Sequence, residues 1–239
     1  MEEKMSKDEK KRARQLERMS GEHQVKGSDT MKWIILAVGA LIFVAFFGSI
    51  IFLIKQNQNK PVSLSSEGYT RGTGNVTLVE FGDLQCPACK VYEPAVRNIQ
   101  KDFKGKVKLL YKHFPLTSVH PNAMLAAQVA VAAGNQGKFW EMHDWLYDNQ
   151  ESWASLSGAD AKDKMVAEAK KLGLDMDKFN KDVNSAATSQ TIEKTQNEGI
   201  NLGVAGTPTF YLDDKKIDPL PPDYESFKKI VAEAVAAKK

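Results

Sequence analysis

The only two cysteines in 239 residues stand as Cys86-Pro87-Ala88-Cys89, where an extended segment hands over to a helix. Ahead of them, Val76-Thr77-Leu78-Val79-Glu80-Phe81 is apolar, β-branched and of strand length; behind them, Val91, Val96, Ile99 and Phe103 recur at roughly helical spacing from Pro87 on. Pro87 suits the first helical position, because its missing N–H costs nothing there and its fixed φ matches the helix. Cys86 is then expected near the N-cap with its sulfur exposed, where unpaired N–H groups and the positive end of the helix dipole favour a thiolate. Cys89, one turn further on, is expected behind it on the same side, close enough for a disulfide and less accessible. One thiol is placed to attack and the other to resolve.

Two other uses of this spacing compete. A structural zinc takes four Cys or His ligands, and His23, His113, His120 and His143 show no metal-type pairing. A permanent disulfide here would close a very short loop and add little stability. A dithiol that cycles is favoured over both, and it needs no metal or organic cofactor, since the cysteines carry the electrons.

Residues 1–32 form a charged tail with nine Lys/Arg against seven Asp/Glu, read as disordered or a frayed helix. Lys10-Lys11-Arg12-Ala13-Arg14 could be a nucleic-acid or lipid patch, but the interleaved acids nearly cancel it, and a solvated tail is preferred. The net charge of +3 asks for no acidic partner and no nucleic acid. Residues 33–54 are uncharged and dominated by Ile, Leu, Val, Ala and Phe; at 1.5 Å per residue these 22 residues match a bilayer core of about 30 Å. The run is too long for a signal peptide's apolar region and ends without a small-x-small site, so an uncleaved single-pass anchor is expected. Nine basic residues precede it, against Lys55, Lys60 and Arg71 after it, which places the amino end in the cytoplasm and the cysteines outside, where disulfides persist. Residues 55–74 read as a polar linker, with 69–75 making a turn into the first core strand.

Residues 75–239 are one domain's worth of chain. A second strand is expected over 106–114, completing a parallel βαβ unit, and then helices over 123–133, 136–147, 160–172, 175–183 and 185–202, an all-helical insertion spanning about 118–202. The aromatics of 139–145 fall at helical spacing and are read as core. Strand character returns over 207–212, residues 213–216 make a turn, and an amphipathic helix over 224–237 closes the chain. The fold class is α/β, a sandwich interrupted by helices and preceded by one transmembrane helix.

At Glu80-Phe81-Gly82-Asp83-Leu84-Gln85-Cys86-Pro87-Ala88-Cys89 the chain resembles the DsbA-like thiol:disulfide oxidoreductases of the thioredoxin superfamily. His113-Phe114-Pro115-Leu116, His120-Pro121-Asn122-Ala123 and Gly137-Lys138-Phe139-Trp140-Glu141-Met142-His143-Asp144 resemble that family's helical insertion, and Val204-Ala205-Gly206-Thr207-Pro208-Thr209-Phe210 resembles its cis-proline loop. The resemblance implies a thioredoxin-like fold, Cys86–Cys89 as the redox-active disulfide, and support from Pro87, Ala88, Thr207 and Pro208. It further implies a cis Thr207-Pro208 bond beside the dithiol and a buried acid at Glu80 that moves a proton to or from Cys89. Pro94 would kink the helix. The family's strongly oxidising members carry a histidine where this chain has Ala88, so a Cys86 less acidic than about 3.5 is expected.

The function this implies is disulfide formation in exported proteins by a monomer whose domain lies outside the cytoplasmic membrane. Its partners would be thiol-bearing clients and a membrane redox protein, a quinone-linked thiol oxidase. The same cysteines could serve an envelope reductase or isomerase, and a copper metallochaperone is the reading from another class, since copper(I) accepts two thiolates.

Overall fold

The computed structural model describes residues 7–20, 29–58 and 63–238. The chain divides into two units, Met1–Lys60 and Pro61–Lys239.

The first unit holds α1 (Lys7–Ser20) and α2 (Asp29–Gln58). Within α2, Trp33–Ile50 is long and apolar enough to cross a membrane, and none of it is buried against protein. A core helix would be covered, so the exposed Trp33, Ile35, Leu41 and Phe43 favour a lipid-facing segment over a core one. The tail expected to be disordered or frayed is helical over Lys7–Ser20 and supplies the first turn of α2; residues 1–6, 21–28 and 59–62 lie outside those described.

The second unit is built on β1 (Tyr69–Arg71), β2 (Val76–Gly82), β3 (Val107–His113), β4 (Thr209–Leu212) and β5 (Lys215–Lys216), in the sheet order β1-β3-β2-β4-β5. β2 and β3 run parallel, linked by α3 (Pro87–Asp102), as the βαβ pattern requires; the other three pairings are antiparallel. Two expectations are corrected here. The stretch read as linker over 55–74 contains β1, an edge strand on β3, and the turn read over 213–216 contains β5. Both strands are too short or too polar to carry a periodic signal, and pairing with a distant partner creates them. The turn proper is Asp213-Asp214, with Asp213 at a φ of 52°.

β2 is central and covered on both faces, which is why it reads as a continuous apolar run. One face packs Val76, Leu78, Leu109 and Phe210 against Val96 and Ile99 of α3 and Phe227 and Val231 of α9 (Tyr224–Ala237). The other packs Val79, Phe81 and Leu110 against Phe114, Val204 and Tyr211. Between β3 and β4 lies the helical insertion: α4 (Ala123–Gly134), α5 (Phe139–Asp148), a 3₁₀ turn (Gln150–Ser152), α6 (Gly158–Lys171), α7 (Met176–Val183) and α8 (Ala186–Asn201). Buried Ala126, Ala130 and Ala133 of α4 join Met142, Leu146, Trp153, Met165 and Phe179 in one cluster. The aromatic helix is mostly core, with Phe139 and Tyr147 buried and Trp140 and Trp145 half-buried.

Helix starts follow their caps. Ser157, Asp175, Ser185 and Asp223 each accept a backbone N–H three residues on, opening α6, α7, α8 and α9. Helix α3 differs, because its N-cap is Cys86, with Pro87 following and no side-chain cap bond.

A clamp joins the start of the second unit to its sheet. Lys112 on β3 is fully buried, and its Nζ lies 2.9 Å from Ser65 O, 3.0 Å from Ser65 Oγ, 2.8 Å from Glu67 O and 2.7 Å from Glu198 Oε2. Glu198 in turn accepts the Ser65 N–H at 2.7 Å.

Candidate active site

The backbone N–H groups of the first turn of α3 have no side-chain cap and are directed at the Cys86 sulfur. Those of Ala88 and Cys89 favour its thiolate, although the thiol makes no cap hydrogen bond with them. The strongest contribution comes from the Cys89 thiol, which donates to Cys86; together with Thr207 these bonds outweigh burial and lower the Cys86 thiol to about 5. Cys89 moves the opposite way: burial comes first, then its hydrogen bond to Cys86 and the charge of Glu80, and all three push it well above an ordinary thiol. Both cysteines are free thiols.

Expected exposure of the Cys86 sulfur is corrected: the residue is only 5 % exposed, and the Thr207 carbonyl of the cis-proline loop lies against its sulfur. The Thr207-Pro208 bond is cis, as is Asp218-Pro219. The Cys86 thiol donates to the Thr207 carbonyl at 3.4 Å, while the buried Thr207 hydroxyl has no hydrogen-bond partner and can donate to a thiolate. Pro87 and Ala88 are exposed beside the sulfur and offer no ionisable group. The Cys86 value of about 5 lies above the 3.5 of the most acidic such thiols, the direction expected without a histidine.

Glu80 is buried in β2. Burial pushes its carboxyl well up, and the charges of Glu93 and Cys86 add to this, so its protonated form is favoured. Its Oε2 has no hydrogen-bond partner.

Several residues that the sequence reading did not single out hold this geometry. Asp83 is buried before the motif; its carbonyl accepts the Cys86 N–H at 3.0 Å, Oδ1 accepts the Gln85 N–H at 2.8 Å, and Oδ2 accepts the Leu116 N–H at 2.9 Å and lies 2.7 Å from His120 Nδ1. Gln150 donates to the carbonyls of Leu84 at 2.9 Å and Cys86 at 3.2 Å. Gln85 bridges the Ala154 carbonyl and the Asn122 N–H. The insertion thereby fixes the loop that delivers Cys86. The only local signal was a polar residue next to each apolar block, and its meaning lies in partners more than 30 positions away.

Glu93, His143 and Asp144 bring ligand atoms within 4.8 Å of one another. Arg97 already pairs with Glu93 at 2.8 Å and Arg71 with Asp144 at 2.8 Å, so two guanidinium groups supply the positive charge a cation would bring. The cluster reads as a buried ion-pair network rather than a metal centre.

One cavity borders the cis-proline loop and a second adjoins the first. A shallow one of about 290 Å³ is lined by Gly206, Thr207, Pro208, Lys216 and Leu220. A larger one of about 950 Å³ lies between the β4–β5 turn, residues 217–222 and α9; the two share Lys216, Ile217, Asp218 and Leu220. The smaller borders the chemistry, although the larger is the more apolar.

One expected result follows from the thiol asymmetry. Alkylation of the reduced protein at Cys86 should rise with pH to a plateau, with its midpoint near 5. A midpoint at the ordinary thiol value of about 8.5 would contradict the geometry. Because the folded value lies below the unfolded one, the reduced domain's stability from this group is complete above the unfolded thiol's pKa and is lost as pH falls through about 5.

The family model described as Thioredoxin matches residues 71–233. A Probable disulfide bond formation protein D of Bacillus cereus is 27% identical over 209 residues, covering 83% of this chain and 93% of its own. A Na(+)/H(+) antiporter NhaA 1 of Salinispora arenicola is 40% identical over 141 residues, 59% of this chain. The chain spans only 20% of that antiporter's length, so the likeness concerns one part of it. Among solved structures, oxidised BdbD from Bacillus subtilis superposes with a TM-score of 0.62 at 24% identity, covering 74% of this chain and 96% of its own. A thioredoxin-like oxidoreductase from Silicibacter pomeroyi does so at 0.58 and 25% identity, covering 73% and 93%. With the family match running from β1 into α9 and the dithiol and cis-proline loop assembled within it, the chain belongs to the thioredoxin family.

Proposed function

We propose that the protein is a membrane-anchored oxidase that donates its Cys86–Cys89 disulfide to exported proteins outside the cytoplasm. The observation that carries the direction is the opposed tuning of the two thiols. A thiolate stabilised at Cys86 favours the reduced form of the pair and so makes the disulfide oxidising.

In this reading a client thiolate attacks the Cys86 sulfur, the Cys86–Cys89 bond breaks, and Cys89 leaves as a thiolate. Glu80, which favours its protonated form, supplies the proton that the buried Cys89 sulfur takes up. A second client thiolate attacks the client sulfur of the mixed disulfide, forming the client disulfide and expelling Cys86 as the stabilised thiolate. An extended client segment pairs with the backbone beside Pro208, and its apolar side chains occupy the groove toward Leu220 and Ile230. A quinone-linked thiol oxidase in the membrane reoxidises the pair. The anchor is α2, with the amino end cytoplasmic, an orientation supported by nine basic residues before the span against three after it.

The test is the reduction potential of the full chain in detergent, equilibrated in glutathione buffers and read by thiol trapping. A potential between about −120 and −180 mV is expected. One near −270 mV reverses the direction and makes the protein a reductase.

A further inference from the structure

We propose that α1 docks on anionic phospholipid headgroups through a face formed by Lys7, Lys11 and Arg14. Along the sequence, acids and bases in this stretch alternate and nearly cancel. The helix separates them. At 3.6 residues per turn, Lys7, Lys11 and Arg14 fall within an arc of roughly 60°. Asp8 and Glu17 stand roughly 60° beyond its two edges, and Glu9 is on the far side. The helix carries six basic and three acidic residues, and residues 7–17 are all exposed.

The occupant is chosen by connectivity and charge. Eight residues separate Ser20 from the start of α2, which limits the gap to about 30 Å of extended chain. A headgroup layer at the mouth of the span is therefore always within reach, and the effective concentration of the second contact is high. A flat row of cations without an interleaved acid matches a plane of anionic headgroups, and no aromatic residue is present in α1 to stack a base. The proposal rests on α2 being a bilayer span and is independent of the direction in which the dithiol works.

The experiment places the full chain in nanodiscs of phosphatidylcholine alone or mixed with phosphatidylglycerol, and follows amide hydrogen exchange in residues 8–18. Each basic residue near an anionic surface is worth on the order of fivefold in binding, so three should slow exchange by more than about tenfold in the anionic discs. High salt should abolish the difference. Arg14→Gln and Arg12→Gln remove the same charge, one on the face and one off it. Arg14→Gln should lose about fivefold of the protection and Arg12→Gln less than about twofold. Equal exchange in the two lipids overturns the proposal. Equal losses in the two variants overturn the face and leave only net charge. Protection in phosphatidylcholine discs that appears only on adding single-stranded RNA assigns the face to nucleic acid instead. A chain that elutes apart from the discs removes the anchor reading and this proposal with it, whereas one that co-elutes with unprotected α1 removes the proposal alone.

Discussion

Cys86→Ser abolishes thiol–disulfide exchange, with the rate falling by at least about 10³-fold to the background of the assay buffer. Serine keeps the helix cap but has no sulfur to form the mixed disulfide, and the N–H groups, Thr207 and Cys89 that lower the thiol then have nothing to stabilise. Cys89→Ser has a different signature. Cys86 remains a stabilised thiolate and attacks a client disulfide, but the resolving sulfur is gone, so a covalent adduct accumulates that dithiothreitol releases. Exchange with a two-cysteine peptide, supplied as the dithiol for Cys86→Ser and as its disulfide for Cys89→Ser, with mass spectrometry of the trapped species, checks both. Activity retained in Cys86→Ser would remove the dithiol from the chemistry; absence of an adduct in Cys89→Ser would reverse the assignment of attacking and resolving thiols.

The second large effect concerns stability. Lys112→Met keeps the volume of the side chain and removes the ammonium that four oxygens surround. Glu198 then faces the Ser65 hydroxyl and N–H without its cation, and the Ser65 and Glu67 carbonyls lose their donor. Breaking a buried pair from one side costs about 3–5 kcal/mol, and the half-buried Glu198, which keeps some contact with water, brings this toward about 3 kcal/mol. For a domain of this size, that lowers Tm by roughly 10 °C. Calorimetry measures the shift, and cleavage at Glu67 by a glutamate-specific protease should accelerate in parallel, since the lost bonds hold that segment. Adding Glu198→Gln to Lys112→Met should cost less than the sum of the two single changes. A shift of less than about 2 °C, with unchanged cleavage, would mean that the clamp contributes nothing net.

What the sequence disclosed depended on how local each cause is. The strand before Cys86 was readable because a central strand covered on both faces must be apolar throughout, and the end of that strand was marked by Pro87 opening a helix. The last helix has the expected limits, Tyr224–Ala237, because Asp223 caps it through a bond three residues long. By contrast, β1 exists only because Tyr69 and Arg71 meet Tyr111 and Leu109, about forty positions on. Lys112 looked like one more polar position in an amphipathic strand, and only Ser65, Glu67 and Glu198 show why it is buried. At the site, the motif named the sulfurs but not Asp83, Gln85 and Gln150 as the residues that hold them, because hydrogen bonds between loops leave no period in the chain. The burial of Glu80 came from the resemblance and not from the strand's composition, since a lone acid in an apolar run carries no mark of what covers it.

The alanine face of α4 sets how this protein can change over generations. Ala126, Ala130 and Ala133 have no exposed surface, and the helix meets α5, α6 and α7 through that small-residue contact. A single added methylene at these positions has nowhere to go, and overpacking of this kind costs typically about 1–3 kcal/mol. Descendants of the sequence are therefore free to lengthen or recolour the loops around the insertion, but not to enlarge its hub.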